Sequence, residues 1–256
     1  GNAGPLGRPI ALFTFALQAY AWPHSLETLL NWNILIHLLN GILVTWLTLT
    51  LSQAFSTDSK IKPEIAISVG LVWLLSPILV SSSLFIIQRM TTLMAMFVFM
   101  GLTVYTKARI ATQNTPEKHL IKLSFIVILF TLLAAFCKEN GALLPLFILA
   151  IEATLFSSTR YDSLHIFWIS WKNIFLIAPL IFIIIYLVRG IPYSDSTSLR
   201  KGFSVDERIA FQGIILWKYL LNSFLPTPSS IGPFHDTYLP INSTKYLLGL
   251  ILFGVT

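Results

Sequence analysis

The sequence predicts an all-α protein, a polytopic bundle of transmembrane helices, and two observations lead to that prediction. Hydrophobic residues make up 55% of the 256 residues and charged residues only 11%, whereas a soluble domain carries about 25% charged residues. The apolar residues also fall into long uncharged runs such as residues 28–57, and a helix of roughly 20 apolar residues is enough to cross a membrane. A water-soluble domain, a disordered chain and a coiled coil are therefore excluded, and the single cysteine excludes a disulfide scaffold.

Six apolar stretches, uncharged except for Glu152 in the fifth, are predicted to span the membrane, and a seventh begins near Tyr246. The second stretch is interrupted by the Ser76-Pro77 step, which a membrane helix tolerates because neighbouring helices can satisfy the freed carbonyl group. The polar turn 138–141 separates the fourth stretch from the fifth. The six predicted spans are residues 33–53, 65–88, 90–106, 123–137, 142–157 and 173–188.

The basic residues of the short loops predict how these spans are oriented. Cytoplasmic loops are enriched in Lys and Arg, and one side of the predicted bundle carries eight such residues against three on the other. The side with eight is therefore predicted to be cytoplasmic, and the net charge of +6 is assigned to membrane orientation and not to nucleic-acid binding. The eight are Lys60, Lys62, Lys107, Arg109, Lys118, Lys122, Arg160 and Lys172, and the three are Arg8, Arg89 and Lys138.

Two outward segments are predicted to be helical. Residues 8–22 are apolar and aromatic, with Pro9 suited to the first turn of a helix, and they predict a helix that lies in the membrane interface. Residues 205–224 predict an amphipathic helix inside a long outward loop, residues 190–244. Residues 1–256 are otherwise predicted to form a single transmembrane domain.

A small set of polar residues at the outward ends of different spans forms the predicted functional site. Charged residues are rare in this chain, and those at membrane depth are commonly functional. Arg and Lys can neutralise a lipid-linked phosphate, and a carboxylate can take the proton from an attacking hydroxyl group. The alternative is that these residues are interface anchors. The candidate phosphate- and substrate-binding residues are Arg8, Arg89, Lys138, Glu139, His235 and Asp236.

Within this set, Arg89 is expected to contact the phosphate because it lies directly at the outward end of a span. A guanidinium can bind two phosphate oxygens at once, which an ammonium cannot. Anchoring at the interface is the alternative for Arg8 and Arg89. An anchoring role does not explain the Lys138-Glu139 pair, because adjacent opposite charges in so short a turn do not hold a helix at the lipid headgroups.

Further polar residues lie inside the predicted spans. Asn33, His37 and Asn40 follow one helix face and are predicted either to line a cavity or to form interhelical hydrogen bonds. Glu152, inside the fifth span, is predicted to be a proton or ion site or a structural partner. No His or Cys cluster has the spacing of a zinc site and no nucleotide-binding motif occurs, so no metal site is predicted.

Taken in order, the motifs resemble the membrane part of the GT-C glycosyltransferases. The most similar members are the O-mannosyltransferases that carry tetratricopeptide repeats and the bacterial relatives that glycosylate pilins. The resemblance covers nearly the whole chain. Its motifs are Gly7-Arg8-Pro9, residues 33–40, Ser76-Pro77, Gln88-Arg89, residues 137–141 and residues 233–238.

This resemblance implies transfer of a sugar from a polyprenyl-phosphate carrier to a protein hydroxyl group on the periplasmic or lumenal face. It implies membrane lipids, the lipid-linked sugar donor and an acceptor protein as partners, and it leaves a divalent metal open. A bacterial inner membrane is expected in preference to the endoplasmic reticulum. The catalytic carboxylate of the family lies in its first outward loop, but no Asp or Glu precedes Glu27 here. The carboxylate is therefore expected upstream of Gly1, in a fragment that lacks the first span and the downstream repeats.

Other functions share parts of this pattern. A transporter or lipid flippase would need charged residues in mid-span and broken or repeated helices, and only Glu152 lies well inside a predicted span. A polymerase or ligase of surface polysaccharide would share the lipid-linked donor. A non-catalytic assembly subunit is the remaining alternative.

The predicted orientation is tested by cysteine labelling from either side of the membrane. Cysteines introduced at Lys118 and at Ser229 should react with an impermeant reagent from opposite sides, with Ser229→Cys reachable from outside. Reaction of both from the same side contradicts the predicted spans.

Overall fold

The computed structural model describes residues 6–21, 24–55, 62–112, 116–156, 165–200 and 205–224. Every regular element in these ranges is a helix, which confirms the all-helical class. The α-helices in chain order are α1 (Pro9–Ala16), α2 (Leu26–Phe55), α3 (Pro63–Leu75), α4 (Pro77–Leu84), α5 (Arg89–Ala111), α6 (Leu120–Cys137), α7 (Leu144–Leu155), α8 (His165–Lys172), α9 (Ala178–Arg200) and α10 (Val205–Phe224).

Four helical stretches in the described ranges are long and apolar enough to cross a membrane. They are Leu26–Phe55, Ile86–Ala111, Leu120–Cys137 and Ile166–Arg189.

Two of the six predicted spans correspond to shorter helices. The span predicted over 65–88 is divided between α3 and α4 at Ser76, because the ring of Pro77 disfavours continuation of the helix. The span predicted over 142–157 becomes the 12-residue α7, since the turn after α6 uses the first residues of that stretch.

The chain divides into two compact units. The larger comprises residues 1–75 and 82–181, and the smaller comprises residues 76–81 and 182–256. In the smaller unit, α10 coincides with the helix predicted over 205–224, and α9 continues to Arg200, inside the segment predicted as a loop. All the predicted site residues that the structure describes lie in the larger unit.

Side-chain contacts fix the directions of the main helices of the larger unit. Asn33 contacts Arg89, and Trp46 contacts Lys107, so α2 and α5 run parallel. Lys138, which directly follows α6, contacts the first turn of α5, so α6 runs antiparallel to α5. α2 also packs against α3, and α5 packs against α6 along its length.

Within the described residues, the basic residues predicted to face outward and those predicted to be cytoplasmic lie at opposite ends of this bundle. Arg8, Glu139 and Lys138 meet where α5 begins, and we call this the Arg8 end. Arg109 lies at the opposite end of α5, the Arg109 end. It was predicted in a loop, but α5 continues to Ala111 and buries Arg109 in its last turn.

An ion pair inside the bundle joins α5 to α7 at the Arg109 end. Arg109 Nε donates to Glu152 Oε1 at 2.8 Å, and the Tyr105 hydroxyl donates to the same oxygen at 3.0 Å. The Arg109 guanidinium also lies 4.5 Å from the centre of the Phe156 ring and 5.0 Å from that of Trp168. The two charged side chains are only 0% and 3% exposed. These contacts support the structural-partner alternative for Glu152.

Truncation of this buried pair should destabilise the bundle strongly. Glu152→Ala leaves the Arg109 charge buried without its carboxylate, and loss of one member of a buried pair typically costs about 3–5 kcal/mol. Glu64→Ala is the matched control, because Glu64 is an exposed carboxylate on α3 and surface substitutions usually change stability by less than about 0.5 kcal/mol. Unfolding followed in detergent measures both, and equal stabilities for the two variants contradict the prediction.

Candidate functional site

The turn that follows α6 is fixed by backbone contacts. Lys138 adopts an extended conformation (φ −158°, ψ 143°) that ends α6, and a 3₁₀ turn, Glu139–Leu143, follows. The Gly141 N–H donates to the Lys138 carbonyl at 2.9 Å. A Cβ on Gly141 would collide with the backbone of Ala134, so only glycine lets the turn pack this closely. The turn thereby holds Lys138 and Glu139 at the Arg8 end.

Arg8 occupies an unusual backbone conformation at the start of α1. Its φ of 49° and ψ of 48° lie in the left-handed region, which non-glycine residues seldom adopt. Gly7, with φ 69°, shares this region. Pro9 is the first residue of α1, and the Arg8 carbonyl accepts a hydrogen bond from the Leu12 N–H at 3.0 Å. Strained conformations of this kind persist where surrounding contacts fix them, often at functional sites.

The Arg8 side chain forms a two-pronged ion pair with Glu139. Its Nη2 donates to Oε2 at 2.9 Å, and its Nε lies 3.1 Å from Oε1 and 3.2 Å from Oε2. Nη1 donates to the Met90 sulfur at 3.3 Å, and Lys138 Nζ donates to the Thr91 hydroxyl at 2.8 Å. We call these five residues the Arg8 cluster. The side chains of Arg8 and Glu139 are each 27% exposed, so an approaching ligand can reach the ion pair.

The charges of the Arg8 cluster shift the pKa values of its members. Hydrogen bonds from Arg8 lower the pKa of the Glu139 carboxyl, so the carboxylate keeps its charge. Burial lowers the pKa of the Lys138 ammonium, and the nearby positive charge of Arg8 lowers it further. The cluster holds two basic side chains against one carboxylate. An anion bound beside Lys138 would favour its charged form.

Arg89 is placed differently from Arg8, because its side chain is only 1% exposed. Nε donates to Asn33 Oδ1 at 2.7 Å, Nη1 donates to Gln18 Oε1 at 2.6 Å, and Nη2 donates to the Leu29 carbonyl at 2.8 Å. The guanidinium also lies 4.5 Å from the centre of the Phe15 ring. In the part of the chain that the structure describes, Arg89 has no carboxylate within ion-pair distance. Contact between Arg89 and a phosphate stays a prediction. Because Arg89 is buried and Arg8 is partly exposed, Arg8 is the better candidate for that contact.

The polar stripe on α2 forms interhelical hydrogen bonds. Asn33 Nδ2 donates to the Phe85 carbonyl at 3.0 Å and Asn40 Nδ2 donates to the Thr92 carbonyl at 2.9 Å. His37 Nε2 lies 3.0 Å from the carbonyl of Leu74, in the last turn of α3, where carbonyl groups lack helical partners. The three side chains are buried. These contacts support the packing alternative, and the cavity-lining role stays a prediction.

Some predicted features lie outside the described residues: His235, Asp236, the labelling position Ser229 and the span near Tyr246. Within the described ranges, no three metal-ligating side chains come together.

Sequence reasoning missed Gln18 and Thr91, which contact Arg89 and Lys138. Both are uncharged residues, Gln18 just after α1 and Thr91 in the first turn of α5, and no local pattern distinguishes them from residues without such contacts.

The chain matches no known protein family, no curated protein and no solved structure. The resemblance to the GT-C glycosyltransferases therefore stays a prediction that rests on the short sequence motifs and their order.

The Arg8–Glu139 pair should make stability depend on pH. Because Arg8 lowers the pKa of Glu139 below its ordinary value of 4.5, the unfolded chain takes up the proton first as the pH falls. Wild type should therefore be more stable than Glu139→Gln, and this difference should be largest at pH values above the ordinary pKa of Glu139. It should be lost as the pH falls through the lowered pKa that Glu139 has in the folded protein. Both side chains are partly exposed, so the advantage should be at most about 1 kcal/mol.

Thermal unfolding in detergent between neutral and acid pH measures this difference. An Arg8→Gln background is the control, because the advantage and its pH dependence should disappear there. If the stability difference between wild type and Glu139→Gln stays constant down to strongly acid pH, the result contradicts an ion pair between Arg8 and Glu139.

Proposed function

We propose that this protein is a membrane glycosyltransferase that moves a sugar from a polyprenyl-phosphate carrier to a protein hydroxyl group. The observation that supports it is the Arg8 cluster. It sets two basic side chains and one carboxylate, all partly exposed, at one end of a bundle of apolar helices. The motif order that resembles the GT-C glycosyltransferases supports the same reaction.

A phosphate attached to a lipid suits the charge and the surroundings of this cluster. An anion would relieve the repulsion between Arg8 and Lys138, which adds to burial in lowering the pKa of Lys138. At the same end, Phe13, Leu17 and Ile87 expose apolar side chains that can lie against a polyprenyl chain. A lipid with an anionic head and an apolar tail is complementary to both features.

The proposed transfer makes one bond and breaks another. The acceptor oxygen bonds to the anomeric carbon of the sugar, the bond from that carbon to the phosphate oxygen breaks, and a carboxylate takes the hydroxyl proton. The departing phosphate gains negative charge, and fixed cations stabilise charge that develops in the transition state. Arg8 and Lys138 supply those cations.

Glu139 is assigned to orienting Arg8 and not to removing the proton. A carboxylate whose pKa is lowered by a guanidinium accepts a proton poorly at neutral pH. In this proposal the carboxylate that takes the hydroxyl proton is a residue other than Glu139.

Removal of Lys138 should weaken phosphate binding and abolish transfer. Loss of one contact that strengthens in the transition state typically lowers the rate about 100-fold or more, so Lys138→Ala should transfer sugar at about 1% of the wild-type rate or less. Lys122→Ala is the matched control, since Lys122 is an exposed lysine in the first turn of α6, at the opposite end of the bundle from the Arg8 cluster. Transfer is measured in membranes that contain lipid-linked sugar and an acceptor protein.

Binding is measured separately, because it does not depend on the identity of the sugar. Polyprenyl phosphate should bind the protein in nanodiscs more tightly than the uncharged polyprenol, and both Arg8→Gln and Lys138→Ala should remove this preference. Equal binding of the two lipids by wild type contradicts the proposal. Selective binding accompanied by movement of the lipid across the bilayer, without sugar transfer, supports the flippase alternative.

A further inference from the structure

One buried guanidinium connects three segments at the Arg8 end. Arg89 is the first residue of α5. It donates to Gln18, just after α1, and its Nη1 lies 3.4 Å from the Thr14 carbonyl within α1. Its remaining bonds reach Leu29 and Asn33 on α2. Arg89 therefore ties the N-terminal segment to the two helices that form the end of the bundle.

The N-terminal helix is also held by packing against α6 and by the Arg8–Glu139 ion pair that directly precedes it. α1 has only 8 residues, and isolated helices this short are unstable in water. Ala11 is buried, and Ile10 packs against a small cluster that contains Cys137, while Leu12 and Phe13 are exposed. The N-terminal segment is therefore held on the bundle by this apolar contact, by the Arg8–Glu139 ion pair and by the hydrogen bonds to Arg89.

We infer that Arg89 is a positioning residue, which holds α1 on the bundle and thereby places Arg8 beside Glu139 without contacting the anionic ligand. Arg8 directly precedes α1, so release of α1 also releases Arg8. Hydrogen bonds that involve a charged group are stronger than neutral ones, which suits a single residue to this task. The consequence for phosphate binding rests on the proposed function, whereas the placement of α1 does not.

The single cysteine reports the placement of α1 directly. Cys137 is 0% exposed and belongs to the cluster against which Ile10 packs, so its reaction with a small maleimide requires local opening. Loss of several bonds to a charged donor should raise the population of the open state, and with it the labelling rate, about tenfold or more in Arg89→Gln. Gln18→Ala removes one of these bonds and should raise the rate severalfold.

The matched control removes a buried interhelical bond that does not involve α1. Asn40 joins α2 to α5 through the Thr92 carbonyl at 2.9 Å, so Asn40→Ala should leave the labelling of Cys137 near the wild-type rate. An equal rise in Asn40→Ala would show general loosening of the bundle and would overturn the inference. Wild-type labelling in Gln18→Ala also overturns it, even where Arg89→Gln fails to fold.

A double-mutant cycle separates positioning from direct contact with the ligand. The affinity for polyprenyl phosphate in nanodiscs is measured for Arg89→Gln, Arg8→Gln and the double variant. If Arg89 acts through Arg8, Arg89→Gln weakens binding in the wild-type background and adds less than about twofold in the Arg8→Gln background. If the losses of affinity in the two single variants add up in the double variant, Arg89 contacts the ligand directly and the inference is overturned. Absence of selective binding by wild type counts against the proposed function and leaves the labelling result standing.

Discussion

The Arg8 end of the bundle depends on how the buried charge of Arg89 is satisfied. A guanidinium in an apolar environment needs oxygen acceptors for its N–H groups, because an unpaired buried charge is very costly. The amides of Asn33 and Gln18 and the carbonyl group of Leu29 supply these oxygens. The acceptors come from separate segments, so satisfying one side chain also fixes the mutual positions of α2, α5 and the residues that follow α1.

The two buried arginines of α5 are satisfied by different chemistry. Arg109 is paired with the carboxylate of Glu152, so its charge is compensated where α5 meets α7. The partners of Arg89 in the described part of the chain are neutral oxygens and an aromatic ring. Among the described residues at the Arg8 end, the three basic side chains Arg8, Arg89 and Lys138 therefore outnumber the carboxylates of Glu27 and Glu139. This asymmetry is the electrostatic basis for assigning an anionic ligand to that end.

The candidate site combines rigid placement with access from outside. Gly141 packs the turn after α6 tightly, and Arg8, whose backbone is left-handed, forms its ion pair with Glu139 of that turn. The charged groups are partly exposed at the end of the helices and are not enclosed between them. A lipid phosphate at headgroup depth could reach such groups without carrying its charge into the apolar interior.

The sequence by itself determined the helical class, most helix positions and the separation of basic residues between the two ends. These follow from composition and from uncharged runs, which are local properties. It also identified Arg8, Lys138 and Glu139, because charges are conspicuous in an apolar chain. Only the tertiary structure decided that Arg8 pairs with Glu139, that Arg89 is enclosed by amides and that Arg109 pairs with Glu152. These contacts join residues far apart in the chain, and only helix packing determines which of several possible polar partners lies within hydrogen-bonding distance.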